Sequence, residues 1–253
     1  MTSREMPKTI LHGRDWEELA TLDPLWAILG EPEKRFGKWD VQEFFRTGEE
    51  EISRIMEKAR SLGLPRARQR AIDFGCGVGR LTRALLNYFP ECHGVDISNS
   101  MVEAARRLTP GGNFRQASDL KSFSAGYADF IYSTLVLQHQ PDRASVARIV
   151  TDMLRVLAPG GLLVFQMPLH LPWRNRLQLR RRAYRALHSV GVPHTFLYHR
   201  LKLNPIRMIA LPQAGVEDVI QEAGGLLVRV EHSVFLAGKK EFADGIYFCS
   251  KKA

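Results

Sequence analysis

The sequence predicts an α/β protein, a parallel sheet with helices on both faces. Three observations predict it. From Arg70 onward, short apolar runs alternate with stretches of helical spacing, the pattern of strand–helix–strand units. A glycine-rich turn, Gly75-Cys76-Gly77-Val78-Gly79, stands where the first of those runs passes into a helix. A chain of 253 residues, 45% hydrophobic and 25% charged, is long enough for one such domain with its own core and some decoration.

Residues 14–62 read as helices. Asp15-Trp16-Glu17-Glu18-Leu19 opens one and Asp23-Pro24 interrupts it. From Gly48 to Leu62, the residues Ile52, Ile55, Met56 and Ala59 recur at helical spacing until Gly63 and Pro65 end the run. Strands are expected at 71–74, 93–97, 113–116, 129–134 and 162–167, with helices through 80–88, 99–108 and 143–157 between them. After Met167 the alternation breaks. Pro168, Pro172, Pro193, Pro205 and Pro212 punctuate a basic stretch, followed by a helix at 213–223 and strands at 226–232 and 245–250. The expected organisation is a helical extension over residues 1–67 and a main domain over 68–253. Residues 168–212 are read as a basic lid inserted over the carboxyl ends of the strands, where open α/β sheets bind ligands.

The net charge is +9, and its location carries the information. Between Trp173 and Arg207 there are nine basic residues and no Asp or Glu; the other 27 Lys and Arg match the 27 acidic residues. So local an excess argues against a general nucleic-acid binder, and the aromatics do not form a stacking platform. Trp173, Leu177, Tyr184 and Leu187 fall near one helical face with arginines around them. That pattern suits a lid, a contact with an anionic substrate, or peripheral membrane contact through 173–207. The bland alternative is a solvated basic face. Met1 to Gly13 contains no apolar run, and no 18 consecutive apolar residues occur, so neither a signal peptide nor a spanning helix is expected. Cys76, Cys92 and Cys249 are scattered and fit neither a disulfide framework nor a zinc site. A cytoplasmic protein without a metal is the expectation, and no oligomeric state follows from these patterns.

The chemistry is concentrated in Asp73-Phe74-Gly75-Cys76-Gly77-Val78-Gly79-Arg80. Glycines at a strand-to-helix turn permit positive φ and close approach of a ligand to the main chain, and the helix start favours an anionic group. A tight turn without a ligand is the alternative. Asp96 follows Gly75 by 21 residues at the end of the second strand, where a carboxylate can accept from both ribose hydroxyls. The dinucleotide fingerprint requires its third glycine at position 80, which is Arg80; here that glycine is Gly79. Asp73 lies two residues ahead of the first glycine, placed to meet a cationic amino group. Such a loop suits an amino-acid-bearing nucleoside better than a pyrophosphate and disfavours a NAD-dependent oxidoreductase.

With these residues the chain resembles the class I S-adenosylmethionine-dependent methyltransferases. The resemblance runs through Asp73–Arg80, Gly94-Val95-Asp96-Ile97-Ser98, Ala117-Ser118-Asp119-Leu120, 129–139, Leu157-Ala158-Pro159-Gly160-Gly161 and 245–251. It covers about residues 68–167 and 213–252 and implies a Rossmann-like seven-stranded sheet, ordered 3-2-1-4-5-7-6 with strand 7 antiparallel. It also implies S-adenosyl-L-methionine as cofactor. Carried over by position, Asp73, Gly75 and Gly77 would line its methionine part, with Gly79 shaping the turn. Asp96 would hold the ribose, with Ile97 and Met101 beside the adenosine. Ser118, Asp119 and Leu120 would flank the adenine, and Ser133 would lie near the sulfonium.

The implied activity is methyl transfer to a small-molecule acceptor, oxygen being the preferred atom and the acceptor anionic, glycosylated or lipid-linked. The alternative is a cofactor-binding or membrane-surface regulatory module that has lost methyl transfer. His139, just past the fourth strand, is the candidate catalytic residue. Its ordinary pKa suits removal of a proton from a hydroxyl near neutrality; a ring that hydrogen-bonds and shapes the site is the other reading. His170 is a second candidate base.

Overall fold

A computed structural model describes residues 8–237 and 240–251. Most of the Met1–Gly13 stretch and the last two positions of the expected main domain therefore lie outside the described residues. The sheet consists of β1 (Arg70–Phe74), β2 (Glu91–Asp96), β3 (Asn113–Gln116), β4 (Ala128–Ser133), β5 (Leu157–Pro168), β6 (Gly225–Ala237) and β7 (Lys240–Lys251). Its order is β3-β2-β1-β4-β5-β7-β6. The first five strands are parallel, and β7 runs antiparallel to both β5 and β6. This is the Rossmann-like arrangement the resemblance implied.

Helices α4 (Arg80–Leu85), α5 (Asn99–Leu108), α6 (Arg143–Val156) and α10 (Gln213–Glu222) connect or flank the strands. Two apolar cores result. Val146, Ile149, Val150 and Met153 of α6 pack with Val216, Val219 and Ile220 of α10 against Ile72, Ile131, Leu163 and Phe165. On the other face, Leu81, Ala84 and Leu85 meet Ala71, Phe130 and Val164. Each fully buried side chain of this kind contributes about 1.5–3 kcal/mol. The main chain of α5 and α6 starts at polar caps, Ser98 accepting from Met101 N and Asp142 from Ser145 N, each worth about 1 kcal/mol.

The helical segment begins with α1 (Lys8–Leu22), α2 (Pro24–Ile28) and α3 (Val41–Ser61). The third helix is longer than the apolar spacing suggested. Asp40 caps it by accepting from Glu43 N at 2.8 Å, so Gly48 is an interior residue. Its lack of a side chain serves packing: a Cβ there would sit 2.5 Å from Arg80 O. Helix α3 thus lies directly on the start of α4.

The basic segment also departs from expectation. It forms three short helices, α7 (Trp173–Arg176), α8 (Leu179–Ser189) and α9 (His194–His199). The single helical face expected over 173–187 is broken at Gln178, whose φ is +47°. Trp173 and Leu177 are exposed while Tyr184 is buried. The segment docks on the N-terminal helices. Buried Asp23 accepts from Tyr198 OH, Phe36 N and Gly37 N at 2.7–3.0 Å. Arg35 donates to the Tyr198 and Lys202 carbonyls and lies over the Trp26 and Tyr198 rings. Tyr184 OH donates to Glu18 at 2.7 Å.

Candidate active site

The strand-to-helix loop after β1 turns through three glycines at positive φ, +80° at Gly75, +53° at Gly77 and +87° at Gly79. Gly75 N and Cys76 N donate to Val95 O, and Gly77 N donates to Asp96 Oδ2 at 2.9 Å. The other carboxylate oxygen accepts from Ser98 N at 2.9 Å. Asp96 therefore clamps the glycine loop to the end of β2. Burial raises its carboxyl pKa, and the N–H groups of Ser98, Gly77 and Ile97 oppose that rise.

A cleft opens at this edge of the sheet. Of the expected site residues, Gly75, Gly77, Asp96, Ile97, Met101, Ser118 and His139 line it. Asp73, Gly79, Asp119, Leu120 and Ser133 do not. Asp73 is buried beneath the loop, where it accepts from Thr82 Oγ1 at 2.7 Å, and burial pushes its pKa up to about 7. Gly79 makes the turn, and a Cβ there would sit 2.8 Å from Thr109 Oγ1. Ser133 donates to Phe74 O at 2.9 Å, joining β4 to β1 behind the cleft. Leu120 belongs to the sheet core. Asp119 turns to its own neighbour, accepting from Lys121 N and pairing with Lys121 Nζ.

The cleft also has walls that were not read from the sequence. Trp16 of α1 and Ala27 and Ile28 of α2 line it, as do Val136, Ser145, Arg148 and Ile149. Helix α1 is tied down there by Glu17, which accepts from the Ser98 and Ser100 hydroxyls at the start of α5. No local period announces such contacts, since Glu17 and Ser98 are far apart in the chain. Val136 and its neighbours, by contrast, follow β4 directly and could have been found from their proximity to His139.

His139 sits in a one-turn helix, Leu137–His139, and is nearly buried. Its Nδ1 donates to Arg207 O, since a carbonyl can only accept. That assignment leaves Nε2 to accept from Gln138 Nε2 at 3.2 Å. Gln138 Oε1 accepts in turn from Gln166, whose own oxygen takes Leu135 N at 2.8 Å. Burial pushes the imidazole pKa down to about 4. Both nitrogens are engaged and the ring is neutral at pH 7, which favours the site-shaping reading of His139 over the proton-accepting one. The edge of Trp16 meets it, ring centroids 5.1 Å apart. His170 does not line the cleft.

Comparison with known proteins agrees with this architecture. A family model described as "Methyltransferase domain" matches residues 72–165, from β1 through most of β5. A trans-aconitate 2-methyltransferase from Azoarcus sp. (strain BH72) is 28% identical over 240 residues, covering 83% of this chain and 90% of the relative. A protein of the same name from Methylobacterium nodulans is 33% identical over 145 residues, with 56% of this chain and 55% of the relative aligned. Among solved structures, magnesium protoporphyrin IX methyltransferase from Synechocystis, with bound SAH, shares the fold at TM-score 0.61 and 17% identity. That match covers 97% of this chain and all of the other. The match of the domain model to the strands that build the cleft identifies a methyltransferase domain over residues 72–165, and the strand order and the glycine loop are like those of class I S-adenosylmethionine-dependent methyltransferases.

Proposed function

We propose that this enzyme methylates an oxygen, most simply a carboxylate oxygen, of a small anionic acceptor. The observation that carries this reading is the single cleft in which Gly75, Gly77, Asp96, Ile97 and Met101 share walls with His139 and Arg148. The residues suit S-adenosylmethionine. Positive φ at Gly75 and Gly77 leaves bare main chain facing the cleft. Asp96 presents a carboxylate there for ribose hydroxyls, and Ile28, Ile97, Met101, Ala117 and Ile149 make apolar walls for a flat base. Asp73, Gly79, Leu120 and Ser133 support those walls from behind. Asp119 lies outside them, so the adenine amino group is left to Ser118 and nearby main chain.

Once bound, S-adenosylmethionine supplies an activated methyl group with its own leaving group. The task left to the protein is alignment and exclusion of water. A carboxylate acceptor arrives without a proton to lose, which agrees with a neutral His139 whose nitrogens are engaged. Arg148 makes no hydrogen bond or ion pair among the described residues and offers a cation on the cleft wall. The name borne by the relatives, trans-aconitate 2-methyltransferase, fits a small polycarboxylate.

Calorimetry with S-adenosylhomocysteine and NAD, then mass spectrometry of products formed from trans-aconitate, tests this reading. Tight NAD binding, or no binding of S-adenosylhomocysteine, would sink it. A second reading, peripheral membrane contact, is favoured by one observation. Trp173, Leu179 and Phe196 are 66%, 62% and 48% exposed, and Arg180, Arg182, Arg200 and Lys202 are exposed near them in sequence. Flotation with phosphatidylglycerol vesicles, but not with phosphatidylcholine vesicles, is its expected signature.

A further inference from the structure

We infer that Arg185 and Arg207 form an anion subsite that seats one carboxylate of the acceptor, with Arg181 and Asp15 as its fixed frame. This builds on the methyl-transfer reading only in naming that anion the acceptor. Helix α8 turns its arginines in different directions. Arg180 and Arg182 are exposed, whereas the Arg181 side chain is only 12% exposed. Arg181 Nε donates to Pro205 O at 3.0 Å, and its Nη2 lies 3.8 Å from the Asp15 carboxylate. Arg185 follows one turn later on the same helical face. Arg207 arrives from the segment whose main chain binds His139.

Arg185 and Arg207 are both half-buried, and their side chains make no hydrogen bond or ion pair among the described residues. Three guanidinium groups thus share the Asp15 carboxylate, with Asp142 also acting on Arg207. The neighbouring acids are already engaged. Glu18 accepts from Tyr184 and pairs with Arg14, and Asp142 takes the amide and hydroxyl of Ser145. Burial, with repulsion from Arg207 and Arg185, pushes Arg181 down to about 10, and burial pushes Asp15 up to about 6. Half-buried cations that outnumber the carboxylates acting on them are costly until a further anion completes them, and paired guanidinium forks match a carboxylate.

The place is also right. Trp16 follows Asp15, and His139 is held by the Arg207 carbonyl; both rings line the cleft. An acid with two or more carboxylates can leave one on the arginines and present another to the cleft. The class expected is therefore a polycarboxylate, with monocarboxylates poor acceptors.

The test is calorimetry on the protein loaded with S-adenosylhomocysteine, titrating trans-aconitate and, separately, inorganic phosphate. At least one should bind, more weakly as salt rises. Arg185→Gln and Arg207→Gln should each weaken that binding about 10-fold or more. Arg180→Gln and Arg182→Gln should leave it unchanged, and the cofactor product should bind all variants alike. In turnover, the first two changes should raise KM for the polycarboxylate and leave kcat within about 3-fold. Anion affinity that is indifferent to Arg185 and Arg207, or absent from the parent protein, would overturn the subsite. Loss of S-adenosylhomocysteine binding by the parent would instead overturn the methyl-transfer reading, with the arginine comparison still read on the anion alone.

Discussion

His139 donates its Nδ1 hydrogen to the main-chain oxygen of Arg207, 2.5 Å away. That one bond ties the cleft wall to the basic segment and fixes which nitrogen carries the proton. It has a consequence in pH. The folded ring has its pKa at about 4 against an ordinary 6.5, because burial opposes the charge. Between those values the unfolded chain binds the extra proton, so the contribution to stability is full above about pH 6.5 and is lost as pH falls through 4. From pH 7 to pH 4 the parent should lose on the order of 3 kcal/mol relative to His139→Gln, read from urea unfolding at each pH. Parallel curves for the two proteins would mean that the ring is solvated.

Asp96 accepts from Gly77 N and Ser98 N while its carboxylate also lines the cleft. Asp96→Ala should weaken S-adenosylhomocysteine binding about 10- to 150-fold, the worth of charge-assisted hydrogen bonds. Asp96→Asn, which keeps one carbonyl acceptor, should fall between. An unchanged Kd in the alanine variant would place the ribose contact on another residue.

Gly48→Ala tests how closely α3 must approach the loop helix. Its methyl would meet Arg80 O at 2.5 Å, backbone that cannot rotate away. Overpacking of this kind costs about 1–3 kcal/mol. Because Arg80 begins the helix that follows the glycine loop, cofactor affinity should fall along with stability. A variant as stable as the parent would show that the two helices separate easily.

Asp23 holds the N-terminal helices to α9 by accepting from Tyr198 OH, Phe36 N and Gly37 N. Tyr198→Phe removes one donor and should cost about 1 kcal/mol in denaturant unfolding. Asp23→Ala strands the buried Tyr198 hydroxyl and two part-buried amides and should cost about 2 kcal/mol. Equal losses in the two variants would mean that the amides of Phe36 and Gly37 find water.

The sheet and the glycine loop were legible because their signals are local. Alternation of short apolar runs with helical spacing marks each strand and helix, and in the loop after β1 a glycine stands at each of three turns of positive φ. Asp96 was legible for the same reason, as a carboxylate ending β2. The limits of the third helix were less so, because Gly48 reads locally as a helix start when it is a packing position beneath Arg80. Asp73 shows a different limit. Its place in the sequence suggests a cleft residue, but the strand points its side chain at Thr82 in the interior.

The sequence by itself thus determined the order of elements, the loop that turns through Gly75 and Gly77, and the carboxylate at its partner strand. Only the tertiary structure decided who else shares the cleft. Trp16 and Ile28 come from helices before the sheet, and the wall residue His139 is held by the carbonyl of Arg207, from the segment between β5 and β6. They reach the cleft because Asp23, Glu17 and Glu18 on one side find Tyr198, Ser98 and Tyr184 on the other. Such pairings depend on how two helical segments dock across most of the chain, and no periodicity within either segment encodes that. His139 was visible as a residue, but whether it could take a proton was set by burial and by the Arg207 carbonyl 68 positions away.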